Sequence, residues 1–179
     1  MMKNKTIEEL IEDERYLKLL SEKYPNTDSC STEIINLEAI MNLPKGTEHF
    51  LSDLHGEITA FTHVLKNASG VIRRKVDDIF GMTMRQSDKN ALLSLIYYPS
   101  EKLALVRNQE KDIDDWYRTT LYQIVAVAKT VSSKYTNSKV RKLLPEEFAY
   151  VIEELLHEDE NSPDKQSYYA QLINTIVDI

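Results

Sequence analysis

Asp53 and His55 are the residues of this chain best suited to chemistry, and Gly56 follows them directly. Asp-x-His-Gly sets a carboxylate and an imidazole two residues apart. The glycine permits a sharp backbone turn and a close approach by a ligand. An oxygen donor beside a neutral imidazole nitrogen suits Mn, Fe, Zn or Mg. Two ligands hold an ion weakly, because a hydrolytic centre takes three or four protein ligands per ion and keeps a position open for water. The remaining histidines, His49, His63 and His157, do not follow a glycine, and no Gly-Asp or Gly-Asn pair occurs. The chain therefore offers about half of one metal's shell. A plainer reading of the same residues is a strand–turn–helix junction with Asp53 capping the helix.

Positioning the pair requires particular elements. An apolar run predicts a strand over about 48–52, delivering Asp53 and His55 to its C-terminal end. A third helix starts at Gly56 or Glu57 and buries Ile58, Phe61, Leu65 and Ala68. Ahead of it, a helix over 6–24 opens with the capping-box pair Thr6 and Glu9 and stops at Pro25. A polar linker over 26–31 and a second helix over 32–42 follow. Beyond Gly70 the pattern is helical throughout, with segments near 71–80, 89–98, 100–108, 112–131, 138–143, 148–156 and 165–179. All four glycines lie between Gly46 and Gly81, so the tight turns that phosphate and metal loops require are confined to that quarter. The expected fold is mainly α with one or few β-strands, the strand belonging to a larger sheet. The last helix ends in Ile176-Val177-Asp178-Ile179 without a glycine cap or a basic last turn, which predicts that the chain continues in a longer protein.

Bulk properties exclude some classes. Twenty-two basic against 29 acidic residues give a net charge of −7, which argues against nonspecific nucleic-acid binding and against anionic membranes. No run approaches the roughly 18 apolar residues of a membrane span, and the N-terminus lacks a signal-peptide core. Cys30 is the single cysteine, so no intrachain disulfide forms, as suits a reducing cytoplasm.

Ser52-Asp53-Leu54-His55-Gly56-Glu57 resembles the first block of the calcineurin-like metallophosphatases. The wider chain resembles the N-terminal region of the class III fructose-1,6-bisphosphatases of Firmicutes-type bacteria. The blocks that carry this likeness include Leu43-Pro44-Lys45-Gly46-Thr47-Glu48-His49-Phe50, Gly70-Val71-Ile72-Arg73-Arg74-Lys75, Leu95-Ile96-Tyr97-Tyr98-Pro99 and Val131-Ser132-Ser133-Lys134-Tyr135. Stretches 33–40, 115–117, 148–150 and 152–156 join them, so the likeness runs from about residue 30 to the end.

The resemblance implies hydrolysis of the 1-phosphate of fructose 1,6-bisphosphate to fructose 6-phosphate, a gluconeogenic step, at a two-metal centre usually activated by manganese. It implies that Asp53 and His55 are ligands of the first metal, and that later blocks, absent here, supply the remaining ligands; by position alone, His49 and Gly56 are the candidates for support behind that pair. It implies a domain scheme: a variable N-terminal helix over 1–30, the first strand–helix unit of an α/β metallophosphatase sandwich over 31–70, and a helical insertion over 71–179. The implied protein is a cytoplasmic homo-oligomer with no nucleic-acid or membrane partner. The 179 residues by themselves are expected neither to bind two metals nor to turn over substrate. The competing class is a stand-alone helical interaction or regulatory module without catalysis.

Other candidates read as structure. His49 shares the parity of Asp53 on the expected strand but reads first as a surface or core histidine. His63 lies beside the apolar face of the third helix and reads as structural. His157 ends a helix, where positive charge suits the dipole. Arg73, Arg74 and Lys75 read as a solvated helix face, as does the cluster of Lys134, Lys139, Arg141 and Lys142, with contact to a sugar phosphate or effector as the sharper alternative. The tyrosine pairs 97/98 and 168/169 read as core or interface anchors.

Overall fold

The computed structural model describes residues 6–11, 13–45, 48–53, 55–158 and 163–179. It divides into two compact units, residues 1–45 and 46–179.

The first unit holds α1 (Ile7–Ile11), α2 (Glu14–Lys23) and α3 (Thr27–Met41). Thr6 and Glu9 form the expected capping box: the Thr6 N–H donates to Glu9 Oε2 (2.7 Å) and the Glu9 N–H to Thr6 Oγ1 (3.3 Å). The single helix expected over 6–24 is divided, because Asp13 leaves helical geometry (φ −91°, ψ 73°) and its side chain accepts from the Tyr16 N–H. An aspartate makes a better N-cap than a helix interior residue. The same preference corrects the linker expected over 26–31. Asn26 caps α3, accepting from the Ser29 N–H at 2.9 Å, while the Asn26 N–H donates to Ser29 Oγ at 3.3 Å. Small polar residues that read as a linker instead satisfy the free N–H groups of a helix start. Neither α2 nor α3 has a buried residue, and Ile34, Ile35, Leu37 and Met41 are exposed.

The second unit is built on α8 (Ile113–Ser132). Before it come α4 (Ile58–Lys66), a 3₁₀ turn (Ala68–Gly70), α5 (Val71–Phe80), α6 (Gln86–Tyr97) and α7 (Pro99–Gln109). After it come α9 (Asn137–Arg141), α10 (Ala149–Leu156) and α11 (Gln166–Asp178), with 3₁₀ turns leading into α10 and α11. The helical segments read from periodicity beyond Gly70 appear within a few residues of their expected bounds.

Val125 and Val127 lie two residues apart on α8, about 200° around its axis. They face opposite ways and enter different clusters. Val127 packs with Val76, Leu92, Leu93 and Tyr97 from α5 and α6. Val125 packs with Leu155 of α10 and Ile173 of α11. Leu93, Val76 and Ile173 are the most completely buried large side chains, and such burial stabilises by about 1.5–3 kcal/mol each. Beside the first cluster, Lys89 is almost fully buried, its Nζ 3.1 Å from Asp77 Oδ1.

Mainly α describes the chain. Among the described residues there is no β-strand, which corrects the one expected over 48–52. Residues 48–53 are exposed and carry no ladder. A strand exists only by pairing, and the described chain supplies no second one for its N–H and C=O groups to meet. For a related reason α4 does not bury the expected face: Ile58 and Leu65 are exposed, while Phe61 and Ala68 are partly covered.

Candidate metal site

The loop between residue 48 and α4 carries the Asp-x-His-Gly motif; position 54 lies outside the described residues. Asp53 (φ 58°), His55 (φ 45°) and Gly56 (φ 74°) all adopt left-handed backbone. For Asp53 and His55 this costs on the order of 1–2 kcal/mol each. Glycine takes it freely, and a Cβ built on Gly56 meets nothing within 4 Å. The Ile58 N–H donates to the Gly56 carbonyl (2.9 Å) and tightens the turn into α4.

This curl brings the two candidate side chains together. His55 Nε2 lies 2.8 Å from Asp53 Oδ1, with both side chains about three-quarters exposed (74% and 70%). Asp53 does not cap the helix: Glu57 occupies the N-cap position, with no side-chain cap bond. A carboxylate and an imidazole thus converge on solvent from a loop whose backbone is held in an unfavourable region.

The chemistry of this donor pair matches a divalent ion that accepts mixed N/O ligands. So does its spacing. Two adjacent ligands at about 2.1 Å from an ion in octahedral geometry stand about 3.0 Å apart, close to the observed 2.8 Å. The number of donors does not complete a shell: among the described residues no group of three or more His, Cys, Asp or Glu side chains is arranged to hold a metal. His49 lies in the exposed first part of this loop, four residues ahead of Asp53.

Several of the other histidines and basic residues have local partners. His157 ends α10, and its Nδ1 lies 2.7 Å from the Glu153 carbonyl oxygen. Arg141 pairs with Glu153 at 2.8 Å, and Lys139 lies 4.9 Å from the Tyr135 ring centroid. These contacts tie Arg141 and Lys139 to neighbouring side chains. His63 is less simple. Its ring stacks on Tyr98, meets Tyr97 edge-on, and brings Nδ1 within 2.7 Å of the Tyr98 hydroxyl. It thereby lines a polar cleft with Arg73 and Asn90. The cleft was invisible in the sequence, because its walls come from positions up to 35 residues apart.

A family model described as Firmicute fructose-1,6-bisphosphatase matches residues 15–179, beginning earlier than the likeness read from the sequence blocks. Among curated proteins, the class 3 fructose-1,6-bisphosphatase of Clostridium novyi (strain NT) is 60% identical over 167 residues, 93% of this chain and 25% of the relative. That of Clostridium acetobutylicum is 61% identical over 172 residues, 96% of this chain and 26% of the relative. That of Clostridium botulinum (strain Loch Maree / Type A3) is 61% identical over 165 residues, 92% and 25% respectively. The chain therefore spans about a quarter of the length of the relatives it matches. No solved structure matches it.

Proposed function

This chain belongs to the Firmicute fructose-1,6-bisphosphatase family, and on that premise we propose that the whole protein hydrolyses fructose 1,6-bisphosphate to fructose 6-phosphate and phosphate, using divalent metal. The observation that carries the proposal to particular residues is the 2.8 Å approach of His55 Nε2 to Asp53 Oδ1 on a left-handed loop. Those two atoms are the ligands we assign to one ion of a two-ion manganese centre. When bound, such ions lower the pKa of a water and neutralise the phosphoryl oxygens during in-line attack.

The chain's own residues have definite tasks in this scheme. Asp53 presents a carboxylate oxygen and fixed negative charge. His55 must present a lone pair at Nε2, so a proton shared there with Asp53 Oδ1 has to move to Nδ1 of the same ring. To Gly56 we assign a close approach by the ligand without a side chain in the way, and to His49 a supporting role. The accompanying domain scheme assigns 1–30 to a variable N-terminal segment, 31–70 to the metallophosphatase domain and 71–179 to a helical insertion. The 179 residues alone are proposed to be inactive, since they bring two ligands where a working centre takes three or four per ion.

We further propose a cytoplasmic homo-oligomer without nucleic-acid or membrane partners. The net charge of −7 supports the part of this proposal that concerns nucleic acid and anionic membranes.

The test is phosphate release from fructose 1,6-bisphosphate by the whole protein with manganese supplied, for the parent, Asp53→Ala and His55→Ala. Circular dichroism follows the fold in parallel. Turnover is expected to vanish in both variants with helical content intact. Retained turnover in both would sink the ligand assignment.

A further inference from the structure

We infer that the cleft between α4, α5 and α6 is a binding site for a small phosphomonoester anion. The cleft has a volume of about 260 Å³ and shares no residue with the Asp53–His55 loop, so the inference does not rest on the reading of that loop. Its floor is rigid and apolar, formed by Leu93 and Tyr97 from the first core cluster. Its walls are polar: His63, Asn67, Arg73, Asn90, Ser94 and Tyr98. No carboxylate lines it.

The donors are turned toward an acceptor that the protein does not itself provide. Arg73 Nη1 donates to Asn90 Oδ1 at 3.1 Å, and the rest of its guanidinium fork is uncommitted. Among the described residues Arg73 makes no ion pair. The acids on its own helix are engaged elsewhere, Asp77 with Lys89 (3.1 Å) and Asp78 with Lys75 (3.7 Å). Asn90 Oδ1 accepts from both Arg73 and Gln86, which leaves its NH₂ group to donate. The Tyr98 hydroxyl and His63 Nδ1 share one hydrogen bond, which leaves the pair a single further donor, Nε2–H when the phenol donates and the phenol O–H when Nδ1 does. A second cation, Lys66, sits 4.4 Å from the Tyr98 ring centroid.

A guanidinium fork, an amide NH₂ and the one donor that the His63–Tyr98 pair has left after its shared hydrogen bond (Nε2–H or the phenol O–H, according to the tautomer) suit an oxygen-rich anion where no carboxylate competes. The fork geometry of arginine matches phosphate in particular. The volume leaves room for a small organic group beyond the phosphate, and the ring faces of Tyr97 and Tyr98 offer it an apolar surface.

The experiment is an NMR titration of the ¹⁵N-labelled protein with inorganic phosphate at constant ionic strength, following the His63 imidazole and the Arg73 side chain. Acetate serves as the competing anion. We expect saturable shifts at both residues with phosphate and much weaker binding of acetate. Arg73→Gln is expected to weaken phosphate binding about tenfold or more, as loss of a charge-assisted hydrogen bond does. If Arg73→Gln disturbs the helices, Tyr98→Phe, which removes a single hydroxyl, is the second variant, expected to bind several-fold more weakly. Shifts that rise linearly without saturation, equal binding of acetate, or unchanged affinity in a folded variant would each overturn the inference.

Discussion

Lys89 and Asp77 invite an asymmetric perturbation. The lysine side chain is 8% exposed and the aspartate side chain 43% exposed, with 3.1 Å between the charges. Removing one partner of a fully buried pair costs about 3–5 kcal/mol, because the other charge is stranded without water. Asp77→Ala strands the buried member. Asp77 already meets solvent, so the pair is less desolvated than that limit, and about 2 kcal/mol is the expected cost. That corresponds to a fall in Tm of about 4–8 °C for a chain of this size. Lys89→Met behaves differently. It keeps most of the side-chain volume against the first core cluster, removes the buried charge, and leaves Asp77 free to hydrate. Its expected cost is under about 1 kcal/mol. The double variant should then match Lys89→Met alone, since Asp77 has no stranded partner left to compensate. Thermal and urea unfolding at neutral pH, followed by circular dichroism, measure all three. If Lys89→Met cost as much as Asp77→Ala, the reasoning from one-sided burial would be wrong.

Ile173→Ala, at one of the most completely buried positions, should cost about 2–5 kcal/mol, seen as a lower urea midpoint; a cost under about 1 kcal/mol would mean the second cluster is not a packed core. Asn26→Ala should weaken α3 by about 1 kcal/mol through loss of its cap, read as faster amide exchange in the first turn of that helix. The Tyr168 phenol is pushed up to about 12, first by its hydrogen bond with Tyr150 and then by burial and by neighbouring charge. The folded value lies above the unfolded one, so this contribution to stability is fully present below about pH 10 and is lost as pH rises through about 12. A tyrosinate absorbance titration should show Tyr168 among the late phenols, beside the buried Tyr97, and Tyr150→Phe should move one of them down.

The parts of this fold legible in sequence are those governed by local rules. Residues 71–80 and 113–132 repeat apolar side chains at helical spacing, and α5 and α8 lie there. Thr6 and Glu9 announce a capping box and make one. Local rules also explain the misreadings. Asp13 holds strong cap propensity inside a stretch whose apolar spacing pointed to one helix, Asn26 opens a stretch read as a polar linker, and at both positions the cap prevails. The strand over 48–52 failed for a nonlocal reason: alternation proposes a strand, but only a partner makes one. In the candidate metal site, the identities of Asp53 and His55 were legible, while the left-handed curl that joins them was not. The cleft lay beyond reach altogether, since nothing in the residues between His63 and Tyr98 signals that the two rings will stack.

The opposed faces of α8 have a dynamic consequence. Its middle turns are clamped between two clusters fed by different helices, α5 and α6 on one side, α10 and α11 on the other. A fluctuation that loosens either side leaves the other gripping the same backbone. The amides near Val125 and Val127 are thus released to solvent only when both grips fail together, and they report the global opening of the second unit. Helices at the margin, such as α9, can fray many times within one such event. The slowest-exchanging part of the second unit therefore sits at the middle of α8, directly behind the core residues that floor the cleft.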